Sequence, residues 1–185
     1  MKVKGTAFEA RKNAVIERFG EEKWRSFLVR LSEQEPYWEQ LIFAVTLIPA
    51  RMFLLFQDEL VKEFYGGDPQ AFWEFGVKSA EWSLIEGPYK HYLQTRDVAE
   101  FVKSMLPTLW RAYYTAGNLE GEIQGNVAHI RATGESIAHI HFEFSVMGYI
   151  KRALELMRGN KVKEKRIKGF DSEDGEIYYQ FVLDA

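Results

Sequence analysis

Along roughly the first two thirds of the chain, apolar positions recur at three- and four-residue spacing; along much of the last third they do not. The first pattern predicts helices and the second mainly strands. Phe8, Val15, Ile16 and Phe19 mark one face of a first helix that Gly20 ends, and Trp24, Phe27, Leu28 and Leu31 mark a second. From Pro36 to Leu60 the chain is apolar almost throughout, and Pro49 is expected to split that stretch into two helices or kink one. Asp68 and Pro69 have the residue types of an N-cap and a first helical position, for a helix running to about Glu86 and stopped by Gly87-Pro88. Phe72, Trp73, Phe75, Gly76, Val77, Ala80 and Trp82 cover more than one face of it, which predicts a central helix contacted on two sides.

Val98, Phe101, Val102 and Met105 form a further helical stripe, and Pro107 is expected to open another segment carrying Leu109, Trp110, Tyr113 and Tyr114. Beyond Gly117-Asn118 the helical period fades through Ile123, Val127, Ile130, Ile137, Ile140 and Phe142, with Thr133-Gly134 as the expected hairpin turn. A helix returns at Met147, Ile150, Leu154 and Met157 and stops at Gly159-Asn160. Two strands, Lys161 to Phe170 and Glu176 to Leu183, flank the polar turn from Asp171 to Gly175. The order predicts a single α+β domain over 1–185. A helical N-terminal layer packs on a C-terminal antiparallel sheet of about four strands, and one helix is inserted between two hairpins.

Composition narrows the chemistry. The 185 residues are 46% hydrophobic and contain no cysteine, which excludes disulfides and thiolate metal sites. With 24 basic against 27 acidic side chains, the net charge of −3 disfavours phosphate-driven nucleic-acid binding. The longest apolar run, Leu41 to Phe56, falls short of a membrane span and contains Pro49 and Arg51, and the N-terminus lacks the apolar core of a secretory signal. The expectation is a cytoplasmic protein without membrane insertion.

Motifs for nucleophilic, phosphate or metalloprotease chemistry are absent from the sequence. His139, His141 and Glu143 would share one face of a strand, a spacing two metal ligands could use, but structural histidines are the simpler expectation and no metal is assigned. The acidic pairs Glu120/Glu122 and Asp171/Asp174 read as solvated carboxylates, and the basic run Lys161 to Lys168 as protection of a sheet edge. What stands out is aromatic content, 14 Phe, 9 Tyr and 5 Trp, enough both to fill a core and to wall an apolar cavity.

Three stretches carry a family resemblance. The opening KGTAFEARKNAVIERFGEEKWRSFL, with Gly20-Glu21-Glu22-Lys23-Trp24, resembles the start of haem nitric-oxide/oxygen-binding (H-NOX) sensor domains. FWEFGVKSAEW, and the closing helix, glycine and hairpin in FEFSVMGYIKRALELMRGNKVKEKRIKGFDSEDGEIYYQFVL, resemble the fold that H-NOX domains share with four-vinyl-reductase domains and the vesicle-tethering TRAPP subunits. The departures are specific. The resemblance places the haem-ligating histidine at Leu109 or Trp110, and the Y-x-S-x-R clamp for the haem propionates near Glu143 to Met147, where only Ser145 matches. The cysteines that bind metal in many vinyl-reductase domains, and the acylated cysteine of some TRAPP subunits, have no counterpart. The resemblance therefore implies a haem-free, non-enzymatic sensor or adaptor without cofactor. Its candidate ligand is a small apolar molecule or lipid, walled by Phe75, Trp82, Met105, Leu109, Trp110, Phe144 and Met147. The alternative is a ligand-free scaffold, similar to the TRAPP subunits, for a protein partner or homodimer.

Overall fold

The computed structural model describes residues 1–134 and 138–183. The chain divides into two compact units, Met1–Ala71 with Tyr113–Thr115, and Phe72–Ala112 with Ala116–Ala185.

The first unit holds β1 (Lys2–Lys4), α1 (Gly5–Phe19), α2 (Glu21–Gln34), a 3-10 turn (Pro36–Glu39), β2 (Leu47–Pro49) and α3 (Ala50–Tyr65). Its core is aromatic. Phe8 of α1 stacks on Trp38 at 5.6 Å, meets Trp24 of α2 edge-on at 5.6 Å, and lies 4.8 Å from Phe56 of α3. Such ring pairs add to the apolar area they bury. Pro49 does not join two helices. It immediately precedes α3, while residues before it form a turn and then β2, which pairs antiparallel with β1. The β-branched Ile42, Val45, Thr46 and Ile48 favour that extended outcome. Arg11 is buried on α1, and burial lowers its guanidinium pKa to about 10, against the opposing influence of Tyr114, Tyr65 and Tyr113.

The second unit takes in most of the remaining helices and the main sheet. Asp68 Oδ1 accepts the Gln70 N–H at 2.9 Å just ahead of α4 (Gln70–Glu81), in keeping with the expected cap. A π-helical turn, Trp82–Glu86, prolongs α4 to the expected end. After the short α5 (His91–Thr95), α6 (Val98–Glu100) leads through a second π-helical turn (Phe101–Met105) directly into α7 (Leu106–Tyr113). Pro107 therefore opens no segment of its own. The Leu106 N–H bonds to Phe101 O, five residues back, and this widened turn lets the helix run on past the proline ring.

β3 (Asn118–Gln124) and β4 (Val127–Thr133) form the first hairpin, and α8 (Ile140–Arg158) leads to the second, β5 (Lys163–Lys168) and β6 (Ile177–Val182). The sheet is antiparallel in the order β3-β4-β6-β5. The expected α+β class, four-stranded sheet and inserted helix are all present. The first turn is placed differently: it is Gly125-Asn126, with Gly125 at φ 61°. Thr133 ends β4, and a Cβ on Gly134 would lie 2.6 Å from Gly117 Cα, so that glycine serves a close chain approach. Ile140 and Phe142 belong to α8 rather than to a strand, and Ile137 lies outside the described residues. β5 is an edge strand with an almost fully exposed basic face, in keeping with the expected edge protection.

Candidate functional site

The helices of the second unit meet through glycine. A Cβ on Gly76 of α4 would sit 2.1 Å from Ser145 O, and one on Gly148 of α8 would sit 2.6 Å from Trp73 O. Two small residues therefore let the backbones of α4 and α8 touch. Polar groups fasten the crossing: Ser145 Oγ donates to Phe72 O at 3.0 Å, and Ser83 Oγ lies 2.9 Å from Tyr149 Oη. The Ser145 hydroxyl, directed at that main-chain carbonyl, also lies 3.2 Å from His141 Nδ1.

Two residues before Ser145, Glu143 has a fully buried carboxylate. Arg166 of β5 grips it through two bonds, Nε to Oε1 at 2.6 Å and an Nη2 contact to Oε2 at 3.0 Å. The Tyr179 hydroxyl of β6 donates to Oε1, and the Phe170 N–H donates to Oε2 at 2.8 Å. Arg166 also reaches Asp171 at 2.9 Å. Burial, followed by the neighbouring Glu143, holds the Tyr179 phenol above its usual range, while the hydrogen bond to Glu143 raises the Arg166 guanidinium. With its oxygens committed to four donors, Glu143 ties α8 to the second hairpin. The alternating-strand reading missed this clamp, because partners from a helix, a strand and a turn share no sequence period.

The expected wall residues all fall in the second unit. Phe75, Met105, Leu109, Trp110 and Met147 are buried, and Phe144 is half-buried with its ring edge-on to Trp73 at 6.0 Å. Trp82 is 59% exposed, so it faces solvent rather than an interior cavity. The Trp110 indole donates to Ala116 O at 3.1 Å. None of the seven lines either of two surface concavities. One, of about 390 Å³, is bordered by Lys103, Pro107, Glu120, Glu122, His129 and Arg131; the other, of about 440 Å³, lies on the first unit around Phe19, Arg30 and Glu63.

The histidines do not share a strand face. His139 caps α8, its Nδ1 accepting the His141 N–H at 3.0 Å, and His141 is buried in the first turn of that helix. His129, on β4, lies 2.7 Å from the Tyr178 hydroxyl, and His91 begins α5. Among the described residues, no three His, Asp or Glu side chains are grouped to hold a metal ion. No described helix is long and apolar enough to cross a membrane.

No protein-family model matches the chain, and no curated protein matches it. Solved structures do. An H-NOX protein from S. oneidensis in the Fe(II)NO state aligns over 98% of this chain and 99% of its own, at 12% identity and a TM-score of 0.73. The NMR structure of a Shewanella oneidensis H-NOX domain in the Fe(II)CO state covers 98% of each chain at 10% identity, with a TM-score of 0.74. The Fe(II) unliganded H-NOX protein from K. algicida covers 97% of this chain and 95% of its own at 16% identity, with a TM-score of 0.67. Along nearly its whole length, the chain has an H-NOX-like fold.

Proposed function

We propose that the protein is a non-enzymatic sensor or adaptor domain that works without haem and takes a small apolar ligand within its second unit. The observation that carries this reading is the buried face Met105, Leu109 and Trp110, borne by a helix with a π-turn and without histidine over residues 98–113. The side chains there do not fit an iron porphyrin of the kind the similar structures hold. Leu109 offers no donor, and the Trp110 indole N–H is spent on a main-chain carbonyl. Around Glu143 to Met147, a propionate would meet the buried Glu143 carboxylate, whose cationic partner is already engaged. An apolar guest suits the same face better, because Met105 and Met147 are soft, adaptable side chains. A ligand that prefers one packing of helices on the sheet would shift the population of a surface read by a partner.

Haemin titration and native mass spectrometry test the reading together. The expected results are no stoichiometric Soret band and a co-purifying apolar compound, released by Leu109→Trp. A stoichiometric Soret band, or a protein that neither carries nor takes up any apolar compound, overturns it.

A second reading, a ligand-free interaction module, is favoured by Trp82 and Ile85, which are 59% and 52% exposed on the first π-turn. Exposed tryptophan is a frequent anchor of protein interfaces. Trp82→Ala would abolish partner capture or self-association under this reading and leave ligand uptake unchanged.

A further inference from the structure

The first unit carries an apolar feature that neither reading uses. From the end of the 3-10 turn to the first residue of β2, Leu41, Phe43, Val45 and Leu47 are 78%, 58%, 84% and 44% exposed. Isolated exposed apolar residues need no explanation, but four at alternate positions of one short segment do. The segment is also held in place. The Thr46 N–H bonds to Phe43 O at 2.9 Å, closing a turn with Val45 near its tip, and Thr46 Oγ1 accepts the Phe43 N–H at 3.0 Å. The first N–H groups of α1 fix this turn: Gly5 donates to Thr46 O at 2.8 Å and Thr6 to Ala44 O at 3.1 Å. A Cβ on Gly5 would lie 1.9 Å from Phe43 O, so residue 5 must be glycine for the turn to sit where it does. The fold thus presents these side chains to solvent instead of letting them collapse.

Cations border the segment. In the β1–β2 pair, Lys4 stands opposite Leu47 and Lys2 opposite Pro49, so both lysines share a face with Leu47 and are exposed. Arg51 is exposed just beyond, in the first turn of α3, and Glu39 is the countercharge nearest in sequence on the other side. An apolar tip beside a cationic strand complements a lipid surface with acidic headgroups: the tip enters the headgroup and acyl boundary while the cations meet phosphate and carboxylate. A second copy of the chain fits less well. Four side chains offer a few hundred Å² of apolar area, against the roughly 800 Å² per partner that a stable interface buries.

We infer that the turn from Leu41 to Leu47, with Lys2, Lys4 and Arg51, is a peripheral contact for an anionic membrane surface. The protein lies on the bilayer and does not cross it.

Flotation of the full chain with phosphatidylcholine vesicles, with and without phosphatidylserine, tests this. Binding is expected to the phosphatidylserine vesicles, and Phe43→Ser with Val45→Ser lowers the bound fraction at least about tenfold, while circular dichroism shows an unchanged cooperative melt. Leu41→Ser serves as an independent tip variant. Lys2→Glu with Lys4→Glu weakens binding at low salt, with a smaller effect at high salt, where headgroup attraction is screened. No flotation, flotation indifferent to the tip variants, or light scattering that shows a dimer dissociated by those same variants would each overturn the inference.

Discussion

Gly76 on α4 and Ser145 on α8 approach so closely that a single methyl group on the glycine would come within 2.1 Å of the serine carbonyl oxygen. The two helix backbones are in direct contact there, and no rotamer change can make room. Gly76→Ala is therefore expected to destabilise the protein by about 2–3 kcal/mol through overpacking. Gly148→Ala acts in the same direction from the other helix, since its Cβ would lie 2.6 Å from Trp73 O. Urea unfolding followed by tryptophan fluorescence gives both values. Gly125→Ala is a control in open space at positive φ, and its cost should be backbone strain alone, about 1 kcal/mol.

The Glu143 clamp makes a directional prediction. Removing Arg166 leaves a carboxylate buried with only a phenol and one N–H, so Arg166→Met should cost about 3 kcal/mol, toward the lower end for a broken buried pair because Arg166 is itself 45% exposed. Replacing both partners, Glu143→Leu with Arg166→Met, should recover much of that loss by removing the stranded charge. Chemical denaturation of the two single variants and the double variant measures the coupling.

Tyr114 and Tyr179 are both pushed above the usual phenol range, in each case mainly by burial. Their neutral forms are favoured in the folded state. The stability they contribute is complete below the unfolded value of about 10 and is lost as pH rises above it. In an absorbance titration of phenolate, Tyr114 and Tyr179 should ionise beyond the main step or with unfolding. Tyr179→Phe should remove one of them.

Gln57 is fully buried on α3, and neither amide atom has a hydrogen-bond partner among the described residues. Burying an unpaired amide costs about 1–3 kcal/mol. Gln57→Met, close in shape and without the amide, is expected to raise the thermal midpoint; a fall would mean that the amide is satisfied by bound solvent or ligand.

The sequence pattern revealed most of the architecture because helix faces such as Trp24, Phe27 and Leu31, and the inward residues Ile177, Tyr179 and Phe181 of β6, obey local periods. Where it failed, two local signals competed or the cause lay far along the chain. Leu41 to Ile48 is apolar enough for helix and β-branched enough for strand, and its outcome is set by carbonyl contacts with α1. His139 to Glu143 alternates like a strand, yet it opens α8 because His139 can cap the helix. The role of Glu143 depends on Arg166 and Tyr179, and that of Gly76 on Ser145, partners no local window contains. The candidate wall was legible as apolar core, and only coordinates separate exposed Trp82 from buried Phe75.

The π-turn at Phe101–Met105 has a consequence for insertion and deletion. A turn closed five residues back accommodates one more residue than an α-turn, so deleting a single amino acid there would restore ordinary winding without breaking the helix. Because the extra residue is absorbed within the wide turn, everything downstream would keep its face, whereas the same deletion in an ordinary α-turn would rotate it by about 100°, one residue's share of the α-helical circle. Leu109 and Trp110 would then stay turned inward, and only a deletion in the ordinary turns of α7 would exchange them for neighbours such as Thr108 and Arg111. The identity of the side chains this helix turns inward is thus written as a count of residues as much as a choice of them.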